Sequence, residues 1–340
     1  MTTKLCSSCV RNINSKEIIS DWKICSFCAQ FNKHKDHLLW NLKKIEGKFI
    51  DNINSKKWSW EYDCLVMVSW WKDSIMSLYK IKTETNLNCL AYTFDNGFES
   101  KEALDNIQKA VDILEIDRIL DRPWYMKKVY RSILKEKVAI SICRFCAPLM
   151  FNRAIKFAHK NNIPYIITGR NKWQSDREPS RHVLWGISDE KLQQLEKKFP
   201  FLSNIGIYPE ENDQLLKKYD IKITSPWIFE KRDTAEYMKI IKKELWRKIP
   251  KISYPKDSTN CILNFLQVVL SRKFFGYTHY DCEESLLINY WEKTKKDAIK
   301  TLDIDIDKEI IDDILHTLHL SLHDIGLTEK DLETYSHFKD

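Results

Sequence analysis

Four cysteines near the start of the chain have the spacing of a metal site. Cys6 and Cys9 form one Cys-x2-Cys pair, and Cys25 and Cys28 form a second pair 15 residues later. Two tight turns that each present two thiolates can close a tetrahedron of sulfur around one ion, which is a ligand set typical of structural Zn²⁺. So small a module buries little apolar surface, and metal binding would supply folding free energy. The pattern predicts a zinc module within residues 1–45.

A second set of cysteines lies farther along the chain. Cys143 and Cys146 stand where a helix is predicted to begin, in SICRFCAPLM, and Cys261 precedes another predicted helix, in KDSTNCILN. A helix N-terminus lowers the pKa of a thiol, so we expect thiolates here. Four interpretations stay open. The three residues hold a [4Fe-4S] cluster with one iron left open, act as nucleophile and resolving partner, bind a second zinc ion, or are ordinary buried cysteines.

The stretch SWWKDS, residues 69–74, joins an apolar run to a helix-like run. A strand, a tight turn and a helix start commonly bind phosphate, because backbone N–H groups at the helix N-terminus point at the anion. Such turns usually contain glycine, which adopts φ > 0 and lets the backbone approach the phosphate. Here Trp70 and Trp71 occupy the turn, and left-handed geometry at a Trp would cost about 1–2 kcal/mol. The stretch indicates a nucleotide site whose turnover is in question.

The elements around this stretch alternate between two types. Apolar runs at 62–68, 87–93, 116–120 and 163–169 predict strands, and amphipathic segments between them predict helices. This alternation is typical of a parallel, doubly wound α/β sheet. Ligands bind beyond the carboxyl ends of such strands, which points to residues 69–74, 94–99 and 168–176. After about residue 186 the strand signals fade, and we expect a mainly helical C-terminal domain.

Composition restricts the class of protein. The chain has 340 residues, with 55 basic and 48 acidic side chains and a net charge of +7. That balance permits an RNA or an anionic metabolite as partner without favouring either. No segment approaches the ~18 apolar residues of a membrane span, and no signal peptide is evident, so we expect a cytoplasmic protein without a membrane partner. Ten cysteines in such a chain favour metal or redox roles over disulfides.

The order strand, S-x-x-K-D-S, helix, strand, FDNG resembles the PP-loop ATP pyrophosphatases of the adenine nucleotide alpha-hydrolase-like superfamily, whose loop reads SGGxDS. The resemblance implies a HUP-like parallel fold. FDNG would hold the nucleoside, and TGRN is similar to a later ATP-contacting loop of that family. The implied ATP and Mg²⁺ site therefore comprises Ser69, Trp70, Trp71, Lys72, Asp73, Ser74, Asp95, Gly97, Thr168, Gly169 and Arg170, with Asp176 near Mg²⁺.

Two branches of the family are similar to different parts of the chain. KLCSSCV, CSFC, YDCLVMVS and FDNGFESKEALDNI, within residues 4–115, resemble N-acetyl sugar amidotransferases, which carry a four-Cys module before the PP-loop domain. The later Cys-x2-Cys and the distant third cysteine resemble tRNA 2-thiolation enzymes, in which three cysteines hold a [4Fe-4S] cluster. Both branches imply adenylation of a carbonyl with pyrophosphate release. They differ in the nucleophile, which is ammonia from a glutaminase partner in one and sulfide in the other.

We therefore expect an ATP-dependent activating enzyme that transfers sulfur, with Lys72, Asp73, Cys143, Cys146 and Cys261 in catalytic roles. Ammonia transfer is the alternative. A third interpretation is a binding protein that does not hydrolyse ATP, because two tryptophans replace the loop glycines. Expected partners are a small-molecule or sugar-nucleotide substrate, a glutaminase or sulfur-carrier protein, and a second copy in a homodimer; RNA is not favoured. The expected domains are 1–45 (zinc module and connecting helix), 56–186 (ATP-binding) and 187–340 (helical).

Overall fold

A computed structural model of the chain describes most of its residues. They are residues 5–11, 19–20, 24–33, 35–36, 44, 47–48, 61–69, 72–137, 141–170, 189–225, 227, 234–245, 261–303 and 306–333. Trp70, Trp71, Asp176 and the predicted domain boundaries at residues 56 and 186 lie outside these ranges. No helix among the described residues is long and apolar enough to cross a membrane.

A five-stranded parallel sheet forms the centre of the fold. Its strands are β3 (Cys64–Met67), β4 (Cys89–Phe94), β5 (Arg118–Asp121), β6 (Tyr165–Ile167) and β7 (Lys222–Thr224), in the spatial order β5-β4-β3-β6-β7. β3 pairs on one side with β4, where Cys64 faces Cys89, and on the other with β6, where Cys64 faces Tyr165. Both strand cysteines are buried, as expected of core positions. A separate antiparallel pair, β1 (Ile19–Ser20) and β2 (Ile24–Cys25), belongs to the N-terminal module.

Helices cover both faces of the sheet and make up most of the other described residues. In order, they are α1 (Lys72–Glu84), α2 (Lys101–Leu114), α3 (Met126–Leu134), α4 (Cys143–Lys160), α5 (Asp189–Lys198), α6 (Pro209–Tyr219), α7 (Thr234–Leu245), α8 (Leu263–Phe275), α9 (His279–Asn289), α10 (Lys295–Leu302) and α11 (Lys308–Leu318).

Strand side chains alternate between the two faces, as the pleat requires. Val66 packs with α1, α2 and α7 on one face, while Leu65 and Met67 pack with α4 and α6 on the other. The predicted doubly wound parallel α/β fold is therefore confirmed.

The largest apolar core lies beside the sheet and is mostly helical. It joins α3 and the first turns of α4 to α8 and α11, and Phe98, which follows β4, is buried within it. The helices after α6 agree with the predicted helical C-terminal region.

One strand was missed by the sequence interpretation. β7 lies beyond residue 186, yet it pairs with β6, where Ile166 faces Ile223. β7 has three residues, and Lys222 is exposed, so the sequence contains no apolar run here that would predict a buried strand. The parallel sheet therefore takes its fifth strand from the segment assigned to the helical domain, and the division into domains stays a prediction.

Candidate functional site

The loops that carry the predicted ATP residues lie at the point where the sheet reverses its strand order. From β3 the chain adds β4 and β5 on one side, and then adds β6 and β7 on the other. Residues 68–74 follow β3 and residues 168–170 follow β6, so these two loops flank the gap between oppositely directed crossovers. Ligands of open α/β sheets bind at this kind of switch point.

Ser69 lies against the N-terminus of α1. The Ser74 hydroxyl donates to the Ser69 carbonyl oxygen, and the two side-chain oxygens lie 3.3 Å apart. Asp73 and Ser74 are buried, whereas Lys72 is half-buried and precedes them at the first position of the helix. The backbone thus presents a helix N-terminus with two hydroxyls and one ammonium group, a combination that suits a phosphate chain.

Gly169 packs directly against the start of α1. A Cβ at this position would lie 2.4 Å from the Ser74 backbone nitrogen and 2.7 Å from the Asp73 carbonyl carbon. Both are backbone atoms that cannot rotate away, so only glycine fits. On the same side, the Thr168 hydroxyl lies 2.6 Å from the Ser225 hydroxyl, which follows β7. The close approach fixes the loop after β6 against the loop after β3.

Arg170 follows this glycine. Its guanidinium carbon lies 4.3 Å from the centroid of the Phe151 ring on α4. This contact fixes the position of Arg170 at the carboxyl end of the sheet. The residues 69–74, here called the phosphate-type loop because of their predicted role, follow β3 at the same end.

Asp95 follows β4 and is held by two interactions. One carboxylate oxygen accepts the Gly97 backbone N–H at 2.7 Å, and the other accepts Arg122 at 2.6 Å. Gly97 has φ +85°, which favours glycine, and its α-carbon faces open space. The FDNG turn is therefore rigid and has an unobstructed backbone surface.

The three downstream cysteines meet beside this turn. Cys143 and Cys146 lie three residues apart in the first turn of α4, on one face of the helix. Cys261 arrives from the far end of the chain through an antiparallel bridge to Glu99, and the Ile262 N–H donates to the Phe98 carbonyl oxygen at 2.9 Å. The structure thus brings together Cys143, Cys146 and Cys261, here called the three-cysteine site.

Two buried side chains lie beside the sulfurs of this site, and sequence reasoning assigned neither. The Asn96 amide nitrogen lies 3.2 Å from the Cys261 sulfur and 3.8 Å from the Cys146 sulfur. These distances limit the separation of the two sulfurs to about 7 Å. Tyr130 of α3 is fully buried, and its pKa is raised well above its usual value by burial and by the nearby Cys146 and Cys261. Only the adjacency of Asn96 to Asp95 in FDNG could have suggested its role.

The expected low pKa of the helix-terminal thiols is wrong. Burial raises the pKa of Cys143 to about 12 and also raises that of Cys146. Burial likewise raises the pKa of Cys261 well above its usual value. Cys143 is exposed at the surface, yet desolvation of its sulfur outweighs the field of the helix N-terminus.

The four N-terminal cysteines form a separate cluster, here called the four-cysteine site. The sulfurs of Cys6, Cys9, Cys25 and Cys28 all lie within 4.8 Å of one another and are buried. Those of Cys9 and Cys25 are 3.6 Å apart, close to the about 3.8 Å that tetrahedral Zn–S bonds impose. The Cys25 N–H donates to the Cys6 sulfur at 3.3 Å. This donor set and spacing suit one metal ion.

The four-cysteine site is packed against α9. Asn289 donates to the Cys28 sulfur at 3.4 Å, and Leu286 and Cys282, one and two turns earlier, belong to the same apolar cluster. Lys295 also donates to the Cys6 carbonyl oxygen at 2.7 Å. Cys282, which the sequence left unassigned, is therefore a packing residue at this interface.

The fold and the loops define a parallel α/β protein with a phosphate-type loop at its switch point and two cysteine sites. No protein-family model matches the chain. The uncharacterized protein MJ1599 of Methanocaldococcus jannaschii is 27% identical over 178 residues, which cover 48% of this chain and 58% of that protein. The chain therefore spans little more than half the length of this curated relative.

Two solved structures are similar to the chain at low identity. The U34-tRNA thiolase NcsA from Methanococcus maripaludis, solved with its [4Fe-4S] cluster, is 15% identical, with 95% of this chain and 91% of that chain covered and a TM-score of 0.42. The NH3-dependent NAD synthetase from Campylobacter jejuni is 14% identical, with 62% and 99% covered and a TM-score of 0.31. Both superpositions are loose, so the class of this protein follows from its own sheet and loops.

Substitution of Gly169 tests the packing of the two loops. We expect Gly169→Ala to lower the free energy of unfolding by about 1–3 kcal/mol, because the methyl group meets backbone atoms of Asp73 and Ser74. Gly47→Ala is the matched control, since a Cβ there meets nothing within 4 Å. Denaturant unfolding of both variants measures the difference, and equal stabilities would contradict the close approach.

Removal of a four-cysteine ligand tests the N-terminal site. We expect Cys28→Ala to lose the bound metal and to lower the melting temperature, because the sulfur joins the ion and Asn289. Cys282→Ala is the control, since it trims the same apolar cluster but removes no ligand. Metal analysis after gel filtration gives the stoichiometry. Full metal content in Cys28→Ala would refute the assignment.

Proposed function

We propose that this protein is an ATP-dependent activating enzyme of the PP-loop pyrophosphatase type that transfers sulfur to an adenylated substrate. The observation that carries the proposal is the convergence of Cys143, Cys146 and Cys261 beside the FDNG turn, at the edge of the sheet that carries the phosphate-type loop. Sulfur chemistry would then take place next to the carbonyl that ATP activates.

The first step would be adenylation of the substrate. Ser69, Ser74 and the N-terminus of α1 would bind the β- and γ-phosphates, and Lys72 with Arg170 would balance charge that develops as pyrophosphate leaves. The substrate carbonyl oxygen attacks the α-phosphorus, and the bond to pyrophosphate breaks. Asp95 and the exposed backbone at Gly97 would hold the nucleoside. Asp73 is buried beside the loop, and with Asp176 it would serve Mg²⁺ as an oxygen ligand.

The second step would be attack of sulfur on the activated carbon, with AMP as leaving group. Three cysteine ligands would leave one iron of a four-iron cluster without a protein ligand. A [4Fe-4S] cluster with one open iron would supply a binding point for the transferred sulfide. Cys143, Cys146 and Cys261 would hold it, and Asn96 would donate to two of the ligand sulfurs.

The four-cysteine site would bind Zn²⁺ in a structural role. Four thiolates leave no open position on a tetrahedral ion, so this site performs no chemistry on the substrate. Because it packs on α9, it would hold the N-terminal module against the C-terminal helices.

Ammonia transfer is a second candidate, favoured by the four-cysteine module that precedes the sheet. The N-acetyl sugar amidotransferases that this part of the chain resembles share that arrangement. A separate glutaminase would then supply ammonia, whereas a sulfur-carrier protein would serve the first candidate. Single-turnover reactions with free ammonium or with sulfide, each analysed for the product of a candidate sugar nucleotide, separate the two.

ATP turnover tests the shared first step. We expect binding of Mg·ATP at about micromolar Kd and substrate-dependent pyrophosphate release. Lys72→Ala should slow that release by about 10²-fold or more, because it removes a cation from the departing phosphate. Lys101→Ala, which trims an exposed lysine at the start of α2, is the control.

Calorimetry on Trp70→Gly/Trp71→Gly separates the proposal from a binding role without hydrolysis. We expect ATP to bind both the natural protein and this variant. Absence of binding to the natural protein at about millimolar ATP, with binding recovered in the variant, would overturn the proposed activity.

Anaerobic reconstitution with iron and sulfide tests the second step. We expect the broad visible absorbance of an iron–sulfur cluster, and its loss in Cys143→Ala, Cys146→Ala and Cys261→Ala, because each removes a ligand. Cys89→Ala, a buried strand cysteine, should keep it. A colourless natural protein that binds only zinc would refute the cluster and leave the ATP test untouched.

A further inference from the structure

Two consecutive polar side chains of the FDNG turn, Asp95 and Asn96, contact different parts of the structure. Asp95 is fixed by Gly97 and Arg122 and belongs to the nucleotide side of the turn. Asn96, the next residue, is buried and contacts Cys146 and Cys261. The FDNG turn, which is expected to hold the nucleoside, therefore also contacts the three-cysteine site, which is expected to hold sulfur.

The orientation of the Asn96 amide is set by the backbone. Its side-chain oxygen accepts the Phe98 N–H at 2.8 Å, and an N–H can only donate, so the atom facing Phe98 must be the oxygen. Phe98 is itself anchored in the helical core, where its ring meets that of Tyr130 at 5.7 Å between centroids. The amide nitrogen, a donor with two hydrogens, is thereby aimed at the two sulfurs.

A donor placed between two sulfurs favours sulfur that carries negative charge. The NH₂ group has no lone pair to offer a thiol hydrogen, so its contacts at 3.2 Å and 3.8 Å are most favourable when Cys261 and Cys146 are ionised or bound to metal. Groups that hydrogen-bond to metal ligands orient them and tune the metal. Glu99 pairs with Cys261 through the backbone, and burial raises the pKa of its carboxyl to about 8. Once ionised, that carboxylate opposes negative charge on the Cys261 sulfur, which a hydrogen-bond donor offsets.

We propose that Asn96 is a positioning residue for the sulfur chemistry, holding Cys146 and Cys261 through N–H···S hydrogen bonds and tying them to the nucleotide turn. The identity of the sulfur-bound group rests on the proposed function, whereas the pairing of Asn96 with the two cysteines does not. Cys143 has no Asn96 contact within the described chain, so the effect is confined to two of the three sulfurs.

The sharpest variant is Asn96→Asp, which exchanges the NH₂ group for oxygen and keeps the oxygen that accepts the Phe98 N–H. Asn96→Leu removes the donor without adding charge. In reconstituted protein, both should lower the reduction midpoint potential, and Asn96→Asp more, because the N–H donor stabilises the more negative reduced state. Both should also lose iron to a chelator about 10-fold faster. Asn161→Asp, an exposed asparagine at the far end of α4, should match the natural protein.

A second measurement does not need the cluster. In apo protein at one fixed pH, alkylation of each cysteine is followed by peptide mass spectrometry. Loss of the donor should slow alkylation of Cys146 and Cys261 several-fold and leave Cys143 unchanged, because only those two sulfurs lose an N–H···S hydrogen bond that stabilises negative charge as they react. Slowing of all three cysteines alike would indicate a general structural effect and overturn the inference.

The outcomes separate this inference from the proposed function. A natural protein that binds no iron, in which the Asn96 variants still slow Cys146 and Cys261 selectively, refutes the cluster and supports the positioning role. If the natural protein holds a cluster, and both Asn96 variants keep its reduction potential, its rate of iron release and the alkylation rates of the cysteines, the role of Asn96 is overturned. The presence of the cluster would still support the proposed function.

Discussion

The short backbone pairing between Glu99 and Cys261 is the constraint on which the candidate site depends. It joins a turn at the end of β4 to a residue that precedes α8, and Asn96 and Cys261 are 165 positions apart in the chain. Closing so long a loop costs conformational entropy. The apolar core around Phe98, α3, α8 and α11 provides the burial that offsets this cost. Without that core, two cysteines would remain in α4 and the third would lie elsewhere.

The two cysteine sites differ in how the chain brings their sulfurs together. In the four-cysteine site all four sulfurs lie within 4.8 Å of one another, and the ligands come from two tight turns. In the three-cysteine site one helix turn supplies two sulfurs and a distant segment supplies the third. Four thiolates suit a structural ion, and three thiolates with one solvent-accessible member leave a ligand position open.

Several strands and the four-cysteine site could be predicted because local sequence patterns indicate them. Apolar runs marked the strands from β3 to β6, and Cys-x2-Cys pairs marked the four-cysteine site. β7 could not be predicted, because a three-residue strand with an exposed lysine has no run of apolar residues. It is recognised as a strand by its pairing with β6. The raised pKa of Cys143 was missed for a related reason: burial is a property of the assembled fold, whereas a helix N-terminus can be recognised from sequence. Asn96 and Tyr130 acquire their roles only when distant segments meet.

The long sequence separation of Cys261 from Cys143 and Cys146 sets the order in which a newly made chain can mature. A ribosome releases the first four cysteines early, and their ligand set is complete after Cys28, although the α9 surface that holds it follows much later. The three-cysteine site cannot be complete until Cys261 has emerged and paired with Glu99. Any group held by these three residues can therefore be loaded only late in biogenesis, after the strands of the sheet have been made, and a chain that stops short of residue 261 would keep the loops of the sheet while lacking the third cysteine of the site.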